Sequence, residues 1–105
     1  MIHPKTINRI KGTIETFEED ASVLSDNSLL SVTTMSASVT SGNSVSINSQ
    51  TYENESLLFQ VNFSQAGYST VKVETQFSGS DEKQVTIWRF RTLDDGTNSP
   101  FTDYV

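Results

Sequence analysis

Polar and apolar residues alternate along most of this chain, which is the pattern of β-strands that bury one face. The clearest runs are LLFQVNF (57–63) and TVKVETQF (70–77). Neither run has the i, i+3, i+4 spacing of an amphipathic helix. Both are therefore predicted to be strands, and the residues expected on their buried faces are Leu57, Phe59, Val61, Phe63, Val71, Val73, Thr75 and Phe77.

Shorter segments with the same period are also predicted to be strands. They are TIETF (13–17), LSVTTMSASV (30–39) and SVSIN (44–48). The acids at 18–20 are expected to end the first of these strands, and the buried face of the second is predicted to carry Thr33, Met35, Ala37 and Val39. Turn signals separate the strands at SGN (41–43), SQAGY (64–68) and SGSDE (78–82).

The last run, QVTIWRFRT (84–92), is apolar on both faces. Val85 and Ile87 share one face, whereas Trp88 and Phe90 fall on the other. One interpretation is a β-bulge near Ile87 or Trp88, which would return both aromatic side chains to the core. The other leaves the aromatic pair on the outer face, where each ring could bury about 150–250 Å² against another molecule.

The second interpretation makes this strand a protein interface. Arginines alternate with the aromatic residues, and Trp, Phe and Arg are frequent interface anchors. Leu58 is out of phase with its own strand and could join them. The candidate interface residues are Trp88, Phe90, Arg89, Arg91, Leu58, Lys5, Arg9, Lys11, Phe101 and Tyr104.

Six or seven short strands joined by turns predict an antiparallel β-sandwich in a single domain. Residues 1–12 contain three cations and no acid, and are expected to form an arm or an edge strand. The sandwich is expected to span residues 13–93. Residues 94–105 lack alternation and contain Gly and Pro, so they are expected to extend away from the sandwich.

Composition narrows the range of partners. The chain has 105 residues and a formal net charge of −6. An acidic chain repels nucleic acid and anionic membrane surfaces, so neither is an expected partner. It contains no cysteine, which excludes disulfides and thiolate metal sites. No apolar run is long enough for a membrane span, and the first residues, MIHPKTINRIKG, lack a signal-peptide core.

Groups for catalysis are scarce in this sequence. The one histidine, His3, lies in the predicted arm. The DDGTN segment (94–98) lacks the oxygen-ligand spacing of a calcium loop and is better explained as a turn. We therefore expect no catalytic residue, no metal, no cofactor and no small-molecule substrate.

The end of the chain also resembles a known structural family. Residues 66–93, AGYSTVKVETQFSGSDEKQVTIWRFRTL, are similar to the closing F–G hairpin of immunoglobulin-like modules. They resemble in particular the short immunoglobulin-like virion proteins of tailed bacteriophages. The segments that carry the resemblance are SVTTMS (31–36), AGYSTV (66–71) and WRFRT (88–92), within a similarity that covers residues 6–93.

This resemblance implies an immunoglobulin-like sandwich with a structural role and no turnover. The expected function is that of a capsid decoration or cement protein, which binds the major capsid protein lattice on the particle surface and assembles in the host cytoplasm. A homodimer or homotrimer would multiply weak contacts with such a lattice. Two alternatives remain: a phage neck, tail or fibre module, and a bacterial surface adhesion module cut from a longer chain.

Overall fold

A computed structural model describes residues 2–22, 31–79 and 83–94, and these residues form seven β-strands. The strands are β1 (Ile2–Ile10), β2 (Ile14–Asp20), β3 (Val32–Ser41), β4 (Val45–Glu53), β5 (Ser56–Phe63), β6 (Gly67–Phe77) and β7 (Lys83–Leu93). The all-β fold and the number of strands predicted from the alternation are therefore confirmed.

The strands form a sandwich of two sheets with immunoglobulin-like topology. One sheet has the order β1-β7-β6-β3 and the other has the order β2-β5-β4. These orders match strands G-F-C and B-E-D of the immunoglobulin fold, so β6 and β7 are its F–G hairpin. β1 adds an edge strand that runs parallel to β7. The sandwich is thus not purely antiparallel, and residues 2–10 are not a free arm.

The buried faces of β5 and β6 are those that the alternation predicts. All the residues assigned to those faces are buried in the structure, and most of them belong to one hydrophobic core. The outward residues of β6 include Lys72 and Glu74, whose charged groups form an ion pair with an N–O distance of 3.1 Å. Strand parity alone therefore decides which side chains of these two strands meet solvent.

β7 keeps a regular alternation, and this corrects both interpretations of its sequence. The ladder between β6 and β7 runs without a register shift. Phe90 is fully buried and Trp88 is 8% exposed, so both belong to the core although the ladder contains no bulge. The hypothesis that they anchor an interface is wrong. Val85 and Ile87 instead take the outer face, because the larger aromatic rings gain more free energy from burial.

Phe17 of β2 joins the two sheets through an aromatic cluster. Its ring centroid lies 5.2 Å from that of Phe90 and 5.7 Å from that of Trp88, both on the opposite sheet. The centroids of Phe59 and Phe63, on its own sheet, are 6.0 and 6.3 Å away. Tilted and edge-on contacts at these separations are favourable beyond the area that they bury.

β2 continues through its acids, which corrects the prediction that residues 18–20 end this strand. Because Phe17 points inward, Glu15 and Glu19 share its face, whereas Ile14 points outward and is 56% exposed. The Glu19 carboxylate accepts a hydrogen bond of 2.8 Å from the indole N–H of Trp88. The inward Glu19 is therefore satisfied by a donor from the other sheet.

The start of β3 departs from simple alternation. A register shift lies between Val32 and Thr34, so Val32 and Met35 both face the core. Thr33, which was predicted on the buried face, is exposed. Met35 and Ala37 are buried as expected, and Val39 is half-buried.

Side chains from β4 cover the free edge of β3. The Gln50 amide accepts a hydrogen bond of 2.8 Å from the Ala37 N–H and donates one of 3.1 Å to the Ala37 carbonyl. The Tyr52 hydroxyl donates a hydrogen bond of 3.0 Å to the Val32 carbonyl. These bonds link the two sheets and satisfy backbone groups that an edge strand otherwise exposes.

Candidate partner-binding surface

Three short connections meet at one end of the sandwich, which we call the upper end. They are residues 11–13, 42–44 and 64–66. β1 and β7 also end here, where Ile10 pairs with Leu93. The C-terminal segment, which follows Leu93, therefore starts from this end of the fold.

Backbone hydrogen bonds hold the first connection to both sheets. The Gly12 N–H donates to the Phe63 carbonyl over 2.7 Å, and the Phe63 N–H donates to the Thr13 carbonyl over 2.9 Å. The Lys11 N–H donates to the Leu93 carbonyl of the opposite sheet over 2.8 Å. The turn between β1 and β2 is consequently fixed to the ends of β5 and β7.

A buried polar cluster fixes the other two connections. Ser44 is 1% exposed, and its N–H donates a hydrogen bond of 3.0 Å to Oγ of Ser69 on β6. The two hydroxyl oxygens lie 2.6 Å apart. The Ser44 carbonyl accepts hydrogen bonds from the N–H groups of Ser64 and Gln65, over 2.9 and 3.3 Å. Because these connections are already ordered in the free protein, binding at this end costs little conformational entropy.

Large apolar side chains project from this rigid end. Ile10, Ile14 and Tyr68 are 40%, 56% and 68% exposed. The guanidinium carbon of Arg91 lies 5.4 Å from the centroid of the Tyr68 ring, a cation–π contact between cross-strand neighbours. With the exposed Lys11, these residues are called the upper-end patch: Ile10, Lys11, Ile14, Tyr68 and Arg91. They share one end of the sandwich, where Ile14 points outward from the three-stranded sheet and Tyr68 and Arg91 point outward from the four-stranded sheet.

Tyr68 does not pack as the tyrosine corner of antibody domains does. In that motif a tyrosine near the start of strand F bonds back to the backbone at the E–F corner. Tyr68 lies at the start of the equivalent β6, but its side chain is among the most exposed apolar groups described. The Ser44–Ser69 cluster secures this corner instead, which leaves the Tyr68 ring available to a partner.

The predicted interface residues do not form one surface. Lys11 and Arg91 belong to the upper-end patch, and Arg89 is exposed on the same sheet, one outward position from Arg91. Leu58 is 46% exposed on the outer face of the other sheet. Lys5 is exposed on β1. Phe101 and Tyr104 lie outside the residues that the structure describes.

Arg9, another predicted interface residue, is half-buried and forms an ion pair within the fold. Its Nε and NH2 groups donate to the two carboxylate oxygens of Glu15 over 2.6 and 3.0 Å. The guanidinium carbon also lies 5.9 Å from the centroid of the Phe17 ring. The hydrogen bonds from Arg9 lower the pKa of Glu15, and the same bonds raise the pKa of Arg9.

This ion pair predicts a weak pH dependence of stability. Because the pKa of Glu15 is lower in the folded chain, the unfolded chain binds more protons and the contribution is lost as pH falls. The Glu15→Gln variant should be less stable than the parent by under about 1 kcal/mol at neutral pH, since the pair is partly exposed. In urea titrations this difference should vanish at about pH 2, below the usual pKa of Glu. Glu18→Gln, on the opposite face of β2, is the control for the lost charge. A deficit of Glu15→Gln that is the same at both pH values would contradict the ion-pair explanation.

The sequence did not point to Ile10, Ile14 and Tyr68 as surface residues. Tyr68 was assigned to a turn, yet it is in phase with Thr70 and Lys72 and out of phase with the buried Val71. Extending the parity of β6 backwards by two residues would have placed its ring outward. The parity of β2 likewise places Ile14 on the face opposite Phe17, so burial of the Phe17 ring leaves Ile14 outward.

Similarity to known proteins does not add to this description of the surface. Comparisons of the chain with protein-family models, with curated proteins and with solved structures find no match. Among the described residues, no group of three or more His, Cys, Asp or Glu side chains is placed to hold a metal ion. The same described residues contain no helix that is long and apolar enough to span a membrane.

Proposed function

We propose that this chain is a non-enzymatic structural protein of a tailed-phage virion. More specifically, we propose that it is a capsid decoration or cement protein that binds the major capsid protein lattice. Two lines support the proposal: the sequence resemblance to immunoglobulin-like virion proteins, and the immunoglobulin-like strand order of the two sheets. The upper-end patch supplies the surface for the lattice contact.

The observation that carries the proposal is the exposure of Ile14 and Tyr68 at the ends of β2 and β6, next to connections that hydrogen bonds hold in place. Each residue leaves more than half of its surface exposed to solvent. Burying such groups contributes about 25 cal/mol per Å² of apolar area. Tyr and Arg are also the residue types that most often dominate protein interfaces. A partner that covers the Tyr68–Arg91 pair therefore gains both apolar burial and a positioned cation.

Removing the patch should weaken attachment without unfolding the domain. We expect the double variant Ile14→Ser/Tyr68→Ala to bind particles at least about 10-fold more weakly, since truncated hot-spot residues cost 2 kcal/mol or more. Its melting temperature should stay close to that of the parent, because both side chains are exposed. Co-sedimentation of particles with the purified protein, dilute enough to be monomeric, measures the binding.

Leu58→Ser is the matched control for this experiment. It removes another exposed apolar side chain from the outer face of the three-stranded sheet, which also carries Ile14, but at a position farther from the upper end. It should bind particles within about 2-fold of the parent. Equal binding by the patch variant and the parent would rule out the upper end as the contact surface.

A copy number distinguishes the head from other sites on the particle. Mass spectrometry of purified particles should find the chain at a stoichiometry comparable with that of the coat protein if it decorates the head lattice. A far lower count would indicate a neck, tail or fibre module. Absence from particles of the phage that encodes it would refute the virion proposal and favour the adhesion module.

A further inference from the structure

Positive charge is confined to one side of the molecule. Every Lys and Arg of the sequence lies on β1, on the turn that follows it, or on β6 and β7. These residues are Lys5, Arg9, Lys11, Lys72, Lys83, Arg89 and Arg91. All the strands that contain them belong to the four-stranded sheet.

The three-stranded sheet is correspondingly acidic. Its strands and the turn between β4 and β5 contain no Lys or Arg, and their acids are Glu15, Glu18, Glu19, Asp20, Glu53 and Glu55. The two sheets of one small domain thus carry opposite charge, although the chain as a whole is acidic. A uniform distribution of the excess acid would not produce this separation.

Among the described residues, the outer face of the four-stranded sheet, here the cationic face, carries four of these cations and one acid. Lys72 and Lys83 flank Glu74, with N–O distances of 3.1 and 3.5 Å. Arg89 is exposed between Thr6 and Thr70 on the neighbouring strands. Arg91 completes the row of outward cations on β7, and the outward residues of β3 that pair with β6 are uncharged.

The outer face of the three-stranded sheet, here the acidic face, concentrates its charge around a shallow concavity. Glu18, Asp20 and Glu53 are exposed there. The concavity has a volume of about 340 Å³ and is lined by Glu18, Thr51, Glu53, Asn54, Ser56 and Leu58. Leu58 at its centre pairs with Glu18 on one side and Thr51 on the other.

We propose that copies of this chain associate head to tail, with the cationic face of one copy against the acidic face of the next. Both faces belong to the same rigid domain and have opposite charge, so each copy carries both halves of the contact. Such a heterologous contact closes into a ring, or continues as a row, depending on the rotation between neighbours. Arg91 belongs to both the cationic face and the upper-end patch, whereas Lys83 and Arg89 belong to the cationic face alone.

Exposed ion pairs are weak one at a time and are screened by salt. We therefore expect the association to depend strongly on ionic strength. Sedimentation velocity of the full chain should show species larger than a monomer at about 0.01 M salt, where the Debye length is about 30 Å. The same sample should be monomeric at about 1 M salt, where the Debye length is about 3 Å.

Charge reversals test which faces meet. Lys83→Glu/Arg89→Glu and Glu18→Lys/Glu53→Lys should each raise the dissociation constant at least about 10-fold, because like charges then face each other. An equal mixture of the two double variants should associate again, since each supplies the face that the other lacks. Lys5→Glu/Lys11→Glu is the matched control for the Lys83→Glu/Arg89→Glu variant, because it makes the same change in net charge through cations outside the cationic face.

Several outcomes would overturn the proposal. The salt dependence would contradict it if the parent chain is monomeric at low salt or if the association persists at about 1 M salt. The variants would contradict it if the charge reversals associate as well as the parent, or if the control loses association as completely as the reversals. A mixture that does not associate would also overturn it. Particle binding by a strictly monomeric chain would leave the proposed function intact, whereas self-association without particle binding would leave only this inference.

Discussion

Replacing Trp88 and Phe90 together with alanine is expected to unfold the domain. A buried Phe or Trp truncated to Ala typically costs about 3–5 kcal/mol, and a domain of this size has a total stability of about 5–15 kcal/mol. Trp88 is 8% exposed, Phe90 is fully buried, and both contact Phe17. The double variant should therefore lose its cooperative thermal transition and its β-sheet circular dichroism at 25 °C.

Val85→Ala/Ile87→Ala is the control for this experiment on the same strand. These side chains are half-buried on the opposite face of β7, so their truncation should cost about 1–2 kcal/mol and preserve cooperative melting. A Trp88→Ala/Phe90→Ala variant that melts like the parent but no longer binds particles would contradict the core placement. It would restore the aromatic pair as an interface.

The sequence predicted the central strands well because each has a single apolar face. For β5 and β6, alternation determines the buried side without further information. β7 is apolar on both faces, so its parity is ambiguous until its neighbours are known. On β6 the outward neighbours of Val85 and Ile87 are the charged Glu74 and Lys72, whereas the side chains facing Trp88 and Phe90 across the sandwich are aromatic. The ambiguity is resolved by the other sheet, which the strand itself does not specify.

Long-range polar contacts explain the remaining differences. The acids of β2 were expected to end the strand, but Glu19 accepts a hydrogen bond from Trp88, which is 69 residues away in sequence. Glu15 can pair with Arg9 because β1 and β2 belong to different sheets that face each other. Such contacts do not repeat with the period of a strand. When only local alternation is considered, these residues therefore look like interruptions of a strand.

The candidate surface was harder to predict than the core for a related reason. A core residue is identified by the pattern of its own strand, whereas a surface patch depends on which strand ends meet. Ile14 and Tyr68 are far apart in sequence, and the connections at 11–13 and 64–66 bring them to the same end. The separation of charge between the sheets also becomes visible only when the strand order is known.

Gly42→Ala is expected to be the most damaging single exchange at the upper end. Gly42 has a φ of +80°, and a Cβ there would lie 2.7 Å from Oγ and 2.9 Å from Cα of Ser69, and closer still to the Tyr68 carbonyl oxygen. The left-handed backbone costs alanine about 1–2 kcal/mol, and relieving the overlap adds about 1–3 kcal/mol. The overlap also displaces Ser69, whose hydroxyl holds Ser44. We expect a loss of about 2–5 kcal/mol in urea denaturation.

Gly79→Ala separates the steric effect from the backbone effect. Gly79 has a φ of +72°, but a Cβ there meets nothing within 4 Å, so this variant should lose only the about 1–2 kcal/mol of the left-handed conformation. The difference between the two variants measures how tightly β6 packs on the turn between β3 and β4. Equal losses would mean that the upper end yields to the added methyl group. The rigidity that we assign to the connections beneath the Tyr68–Arg91 pair would then be wrong, and with it the low ordering cost of binding there.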